Sequence, residues 1–302
     1  MYDTTDPRSS LGTTATAPKP SPAGGTAGIA APGFHDVGAL GAADGGSTVA
    51  VRAQNVVTIF SRLAAGDELD LGTLCSEAAI VVTDEALSFD LLTDRGTTQV
   101  CAPGLVVVPP GAARVVARSA GWLFCLVEAG EEAWATAAVN TTDYAVDHPQ
   151  VALLEPWPEP AGGHQVRVYP LADVPVDPQR FGRIFRTRSF MVNFLTPYDG
   201  PRDPAKLSPH THDDFEQLSV VVAGEYVHHV RTPWLKDSTV WREDDHVRIG
   251  APSVTIIPPP TVHTSQAVGE GHNAMIDVFS PPRTDFSAKP GWVLNADDYP
   301  MA

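Results

Sequence analysis

Three histidines and a glutamate in the C-terminal half have the residue types and spacing of metal ligands. His210 and His212 are two residues apart, so a β-strand directs both imidazoles to the same side. Glu216 keeps that parity if the strand resumes after two intervening aspartates. His263 follows the stiff turn Pro258–Pro260 and is the expected ligand from a distant strand. We therefore expect these four side chains to converge on one point.

Three neutral imidazoles and one carboxylate form a donor set for a single divalent transition metal. Such a set leaves one or two coordination positions open for substrate or water, and it suits Fe, Mn, Ni, Co or Zn. The alternative is a pair of histidines on a solvated edge strand. His272 and Asp277, on or near the last strands, are further candidates for orienting a ligand.

Four other side chains are candidates for contact with a substrate. His228 and Tyr226 share a parity in one strand, and they are candidates for proton transfer and for a hydrogen bond to substrate. Arg186 and Arg188 share a strand face and form a candidate clamp for a carboxylate or phosphate. The alternatives are an exposed edge for His228 and ordinary ion pairs for the two arginines.

The elements that must position these residues are β-strands. Apolar runs of four to six residues, rich in β-branched and aromatic types, are separated by Gly, Asp and Pro. No segment has a long amphipathic helical period. We predict an all-β fold with strands at Val56–Phe60, Ala78–Val82, Leu105–Val108, Trp122–Val127, Ser189–Phe194, Leu218–Val222, Tyr226–Val230 and Val254–Ile257.

The two halves of the chain align with each other. Residues 102–114 align with residues 251–263 at an offset of 149 (251 minus 102), and residues 71–77 align with residues 210–216 at an offset of 139 (210 minus 71). The difference of ten between these offsets predicts one longer loop in the second copy. A duplicated β-domain explains both alignments.

These patterns divide the chain into four parts. Residues 1–48 are rich in Pro, Gly and Ala and are predicted to be largely flexible, with a strap around residues 34–36 as the alternative. Residues 49–140 form the first β-domain, residues 141–164 form a Pro-rich linker, and residues 165–302 form the second β-domain.

The two halves resemble the cupin superfamily of small jelly-roll barrels. The first cupin motif is matched by His210–His212, Glu216 and Gly224, and the second by Gly250 and a Pro-rich turn before His263. Pro204 replaces the usual opening glycine, and Ala267 replaces the usual final asparagine. The resemblance implies two tandem jelly-roll barrels, that is, a bicupin.

The first copy lacks the residues that hold a metal in cupins. The matching positions are Leu71, Thr73, Glu77 and Arg114. A leucine has no donor atom, and an arginine stays cationic and repels a metal ion. We therefore expect the metal only in the C-terminal barrel, with the N-terminal barrel supporting it or forming the surface of a homodimer.

A metal with open positions supports several functions. The resemblance favours a dioxygenase that acts on a small chelating organic substrate, with Glu216, His228 and Tyr226 as catalytic residues. The first alternative is a metal-dependent isomerase or epimerase of a sugar or keto acid, or a lyase. The second alternative is a non-catalytic barrel that binds a small ligand or metal.

Composition bounds the partners and the compartment. The formal charge is −16, so nucleic acid and anionic membranes are unfavourable partners, and no apolar run is long enough to span a membrane. The first residues lack the pattern of a signal peptide. With only three cysteines, Cys75, Cys101 and Cys125, we expect a reduced, cytoplasmic protein in which these thiols are buried.

Overall fold

The computed structural model describes residues 28–44 and 47–301, and strands predominate in these ranges. The helices there are short, and no described helix is long and apolar enough to cross a membrane. They are α1 (Val37–Asp44), α2 (Glu132–Ala137) and α3 (Thr284–Ser287). The first ten strands are β1 (Gly33–Asp36), β2 (Thr48–Arg52), β3 (Val56–Leu63), β4 (Glu68–Leu74), β5 (Ala78–Val82), β6 (Phe89–Thr93), β7 (Gly96–Val100), β8 (Gly104–Val108), β9 (Gly111–Ala117) and β10 (Gly121–Glu128).

The second half repeats this series of short strands. They are β11 (Arg167–Pro170), β12 (Gly182–Arg186), β13 (Met191–Leu195), β14 (Tyr198–Asp199), β15 (Glu216–Ala223), β16 (Glu225–Arg231), β17 (Asp245–Gly250), β18 (Ser253–Ile257), β19 (Val262–Ala267) and β20 (His272–Ser280). The strands predicted from the sequence are present in both halves, with ends that differ by a few residues. The all-β prediction is confirmed.

The strands form two jelly-roll barrels, each made of two facing antiparallel sheets. The N-terminal barrel pairs the sheet β11-β8-β5-β10-β3-β2 with the sheet β4-β9-β6-β7. The C-terminal barrel pairs β1-β18-β15-β20-β13-β12 with β17-β16-β19, and β14 adds to β20. The loop between β16 and β17 is much longer than the turn between β6 and β7, which accounts for the longer second copy.

The barrels pack against each other through their larger sheets. In β5, Ala78, Ile80 and Val82 face the interior of the N-terminal barrel. Ala79 and Val81 face the other way, into a second apolar cluster that also contains Val220 and Ile276 of the C-terminal barrel. Because both faces of β5 are covered, the strand is a continuous apolar run rather than an alternating one.

Each barrel donates one edge strand to the other barrel. Strand β1 pairs with β18, with Gly33 opposite Ile256, and β11 pairs with β8, with Arg167 opposite Val107. The two pairings are equivalent in the internal repeat. Two predicted boundaries are therefore wrong: residues 33–36 belong to the C-terminal sheet instead of a flexible segment, and residues 167–170 belong to the N-terminal sheet. Residues 1–27 of the segment predicted to be flexible lie outside the described residues.

Each half also ends in the same anchoring contact. The side chain of Asn140 accepts a hydrogen bond from the backbone N–H of Arg52 at 2.9 Å and donates one to its carbonyl at 2.8 Å. Asn295 makes the same two bonds to Arg186, also at 2.9 and 2.8 Å. Arg52 ends β2, and Arg186 ends β12. The two buried amides therefore bond backbone groups at the strand end that have no hydrogen-bond partner from a neighbouring strand.

Gly224 turns the chain between β15 and β16 at the point where the cupin motif places a glycine. Its φ is +73°, a conformation that a side chain disfavours. A Cβ there would lie 2.3 Å from Oδ1 of Asn273. The turn therefore needs a glycine for its backbone conformation and for the close approach of β20.

Candidate metal centre

The interiors of the two barrels differ in chemistry at equivalent positions. In each barrel, six strands contribute one inward-facing residue each to a layer of side chains across the middle of the barrel. In the N-terminal barrel these buried residues are Ile59, Ile80, Leu91, Val106, Val115 and Cys125. In the C-terminal barrel the equivalent positions are polar: Asn193, Ser219, His228, Thr255, Ser265 and Asp277. Only the second interior is therefore built to hold polar chemistry.

Three histidines lie together at one end of this polar interior. The ligand atoms of His210, His212 and His263 all lie within 4.8 Å of one another. His210 and His263 pair through their backbones, with N–O distances of 3.0 and 2.8 Å, so that the turn before β19 brings the distant histidine to the other two. His212 and His263 are buried.

Backbone carbonyls orient two of the imidazoles. Nδ1 of His210 lies 2.9 Å from the carbonyl of Ser208, and Nδ1 of His263 lies 3.2 Å from that of Thr261. An Nδ1 that faces a carbonyl carries the proton, which leaves the lone pair on Nε2. This is how proteins commonly present histidine to a metal.

Gln217 completes the group with its amide oxygen. Its Oε1 lies 2.7 Å from Nε2 of His212 and 3.3 Å from Nε2 of His263. A neutral imidazole has one N–H, so His263 can donate either to Thr261 or to Gln217 and not to both. If His263 donates to Thr261, the lone pairs of its Nε2 and of Oε1 of Gln217 face each other without a proton between them. A cation bound by both atoms would remove this conflict, and the four residues therefore fit a divalent metal.

The electrostatics favour a neutral imidazole at His212, as metal ligation requires. The pKa of His212 is well below its ordinary value because the ring is buried and because Arg283 and the two neighbouring histidines disfavour a further positive charge. The imidazole of His212 is therefore unprotonated near neutral pH, and its lone pair does not have to be released by a proton.

Glu216, the expected carboxylate ligand, lies on the other side of its strand. Its carboxylate accepts hydrogen bonds from the backbone N–H of Gln54 at 2.7 Å and from the hydroxyl of Tyr144 at 2.9 Å, and it lies 3.6 Å from Nδ1 of His148. The expectation that Glu216 is a metal ligand and catalytic residue is wrong, because adjacent strand residues point to opposite faces and Gln217 is the one that faces the barrel interior.

The interaction of Glu216 with the linker has a counterpart in the other half. Glu77 accepts a hydrogen bond from Tyr299 at 3.2 Å and lies 3.0 Å from Nδ1 of His164. Glu216 therefore connects the C-terminal barrel to the linker, and Glu77 connects the N-terminal barrel to the linker and to the C-terminal segment. This structural role explains why a buried acid occurs at the same place in both copies.

A cavity of about 470 Å³ opens beside the histidines. Its polar lining includes His210, Gln217 and Asp277, and the apolar residues of its wall include Phe181, Leu195, Leu207 and Met275. Tyr226 also lines the cavity, as expected for a substrate contact, and burial raises the pKa of its hydroxyl, which stays protonated. The size suits an organic molecule larger than a few atoms.

His228 lies behind the cavity wall rather than in it. Its Nδ1 is 2.8 Å from Oγ of Ser265, and Ser265 lines the cavity. Burial lowers the pKa of His228 to about 3, with smaller contributions from His263 and His229. An imidazole with this pKa is a poor proton acceptor near neutral pH, so His228 is suited to orienting the Ser265 hydroxyl instead.

Comparison with solved structures identifies the architecture. The oxalate decarboxylase of Lactobacillus farciminis, in a formate complex, matches with a TM-score of 0.50 and 13% identity over 76% of this chain and 78% of that chain. AerE from Microcystis aeruginosa matches with a TM-score of 0.50 and 8% identity over 77% of this chain and 91% of that chain. A cupin 2 conserved barrel domain protein from Leptotrichia buccalis covers 84% of this chain and 98% of its own length, with 10% identity and a TM-score of 0.44.

The chain has a bicupin fold. No family model matches it, and no curated protein matches it. At these identities the likeness to solved structures concerns the fold, so the function of the bicupin has to be argued from its own site.

The two arginines expected to bind substrate lie away from the cavity of the bicupin. Arg186 is buried; its guanidinium donates to the carbonyl of Tyr299 and stacks on the ring of Trp157, 4.5 Å from the ring centre. Arg188 bonds the carbonyl of Trp157 at 2.9 Å and pairs with Glu159 at 3.1 Å. Their assignment as substrate-binding residues is wrong, because β12 ends at Arg186 and both guanidinium groups are occupied by the C-terminal segment and the linker.

The N-terminal barrel of the bicupin has no equivalent donor group among the described residues. Leu71 is part of its apolar interior, and Arg114 is exposed and paired with Glu68 and Asp70 at 3.1 and 3.6 Å. In the described ranges, the histidine triad is the one group of three or more His, Cys, Asp or Glu side chains whose ligand atoms lie close enough to hold one metal ion. The expected burial of the cysteines holds for Cys125, whereas Cys75 and Cys101 are exposed.

The metal content of two variants tests whether Glu216, rather than Gln217, is the fourth metal ligand. Glu216→Gln should leave the metal content of the purified bicupin unchanged, because the carboxylate contacts the linker. His263→Ala should lower metal affinity about tenfold or more, because it removes one of three imidazoles. Elemental analysis of both variants, with circular dichroism to verify folding, checks this. Loss of metal from a folded Glu216→Gln protein would contradict the assignment.

The pair His148–Glu216 should make stability depend on pH. The nearby carboxylate raises the pKa of His148 above 6.5, so its contribution is complete below pH 6.5 and is lost as pH rises through the raised value. Urea unfolding of the wild type and His148→Gln should differ by roughly 1 kcal/mol more at about pH 6 than at about pH 9. An equal difference at both pH values would rule out a charged His148.

Proposed function

We propose that the chain is a metal-dependent bicupin enzyme that acts on a small chelating organic substrate, and that it is a dioxygenase. The observation that carries this proposal is the cavity of about 470 Å³ whose lining includes His210, Gln217 and His263. A substrate in this cavity can therefore reach both the metal-facing atoms and an apolar wall.

The residues of the chain divide the work of such a site. His210, His212, His263 and Gln217 would hold the cation through lone pairs, and Phe181 and Met275 would provide an apolar surface for the substrate. When bound, a redox-active divalent metal supplies electron transfer between a chelated substrate and O2. Both atoms of O2 enter the product, so no external reductant is needed.

Tyr226 is the hydrogen-bond donor of this proposal. Its hydroxyl keeps its proton because burial raises its pKa, and it lines the same cavity as the histidines. A neutral phenol at this place would donate to an oxygen of the substrate and fix the orientation in which the substrate chelates the metal.

The two bases expected from the sequence, Glu216 and His228, are poorly placed for the isomerase alternative. Moving a proton between carbon atoms needs an acceptor with a pKa near the working pH. Glu216 contacts the linker, and His228 has a pKa of about 3. An oxygenase would depend less on a protein base, because the residues of the chain would act mainly by holding the metal and orienting the substrate.

Oxygen uptake tests the proposal directly. The metal-loaded protein should consume O2 with at least one member of a panel of catechols, β-diketones and α-keto acids. His263→Ala should abolish the uptake. Tyr226→Phe should lower kcat/KM about 10- to 100-fold, because an oxygen of the substrate loses its donor.

Product analysis with and without O2, on keto acids and sugars, separates the alternatives. Conversion of a keto acid or sugar without O2 would support an isomerase or a lyase, the latter being the class of reaction named for the Lactobacillus farciminis structure. No conversion with or without O2, together with tight binding of metal, would support a non-catalytic binding protein.

A further inference from the structure

The side chain of Gln217 is held at both ends. Its Oε1 faces His212 and His263, and its Nε2 donates to Oδ1 of Asp277 and to Oγ of Ser219, each at 3.0 Å. Ser219 in turn donates to the same oxygen of Asp277 at 2.8 Å. The amide, the hydroxyl and the carboxylate therefore form a closed triangle within the barrel.

Asp277 decides which end of the amide faces the histidines. An ionised carboxylate only accepts hydrogen bonds, so the NH₂ group of Gln217 must face it, and Oε1 must face the imidazoles. With the opposite orientation, two oxygens would face each other across 3.0 Å, and the NH₂ group would face the lone pairs of the histidines. Such an arrangement leaves no donor atom for a cation.

The triangle belongs to the C-terminal barrel alone among the described strands. The positions equivalent to Gln217, Ser219 and Asp277 in the first copy are Ala78, Ile80 and Cys125. All three are buried and apolar, so the fold does not need polar residues there. The polar set therefore accompanies the histidines and not the barrel architecture.

We propose that Asp277 is a positioning residue that fixes the carboxamide of Gln217 so that Oε1 is a neutral fourth donor to the metal. This inference rests on the metal centre of the proposed function. The negative charge then lies on Asp277, one hydrogen bond away from the metal ligands, instead of on a ligand. The carboxylate polarises the amide of Gln217, so that Oε1 becomes a better electron-pair donor to the metal.

Binding of Co²⁺ to the full chain, followed by its visible absorption, tests this proposal. Asp277→Ala should weaken Co²⁺ binding about 10- to 100-fold, because the amide is no longer fixed. Gln217→Glu should also weaken it, because a second carboxylate would lie 3.0 Å from that of Asp277. The double variant Gln217→Glu with Asp277→Asn should bind about tenfold or more tightly than Gln217→Glu alone, because the introduced amide donates to the introduced carboxylate and the repulsion is removed.

A matched control comes from the same polar layer. Thr255 is fully buried, and its hydroxyl has no hydrogen-bond partner among the described residues. Thr255→Val keeps the shape of the side chain and should leave Co²⁺ affinity unchanged. A general loss of packing in the barrel would instead weaken binding in this variant as well.

The outcomes distinguish the two proposals. Co²⁺ affinity of a folded Asp277→Ala protein within threefold of wild type, or a double variant that binds no more tightly than Gln217→Glu alone, would overturn the positioning role and leave the metal centre intact. Failure of the wild-type chain to bind Co²⁺ would overturn both. An intact set of binding results without turnover would overturn only the dioxygenase proposal.

Discussion

Lone pairs from three imidazoles and one amide meet in a small volume inside the C-terminal barrel, and this crowding constrains the rest of the molecule. Neutral donors at 2.7–3.3 Å from each other are unfavourable in a buried site unless a proton or a cation lies between them. His263 shows the conflict most directly, since each of its nitrogens faces an oxygen and a neutral ring carries one proton. A divalent cation resolves the conflict for the whole group.

The duplicated fold provides the rigidity that such a site needs. The N-terminal barrel fills its interior with apolar side chains and packs its larger sheet against that of the C-terminal barrel. The exchange of β1 and β11 connects the two copies in both directions, and the amides of Asn140 and Asn295 each anchor the end of one half to its own barrel. Buried polar residues cost stability. The C-terminal barrel can accept them because its larger sheet packs against the apolar N-terminal barrel.

The sequence predicts the features that depend on local pattern. Strands follow from short β-branched runs, and the convergence of His210 and His212 follows from a spacing of two. The choice of His263 as their distant partner follows from its place directly after a stiff Pro-rich turn, and His210 and His263 pair through their backbones.

The wrong predictions concern relations that local pattern does not encode. The assignment of Glu216 assumed that strand parity continues across the bend at residues 213–214, whereas β15 begins at Glu216 with its side chain towards the linker. Gln217 was missed because an amide is a weaker sequence signal for a metal ligand than a carboxylate. The available clue was that Glu216 shares its strand face with the apolar Leu218 and Val220, which pack between the barrels, so that Gln217 lies on the opposite face. Arg186 and Arg188 were misassigned because residues 157–159 and 295–299, far away in sequence, decide their surroundings.

The central claim is that one divalent metal lies in the C-terminal barrel and none in the N-terminal barrel. An anomalous difference map, from a crystal of the metal-loaded protein measured at the absorption edge of its metal, tests this claim most directly. We expect one peak per chain, about 2.0–2.3 Å from a nitrogen of each of His210, His212 and His263 and next to Oε1 of Gln217. A peak beside Glu216, a peak inside the N-terminal barrel, or none at the histidines would contradict it.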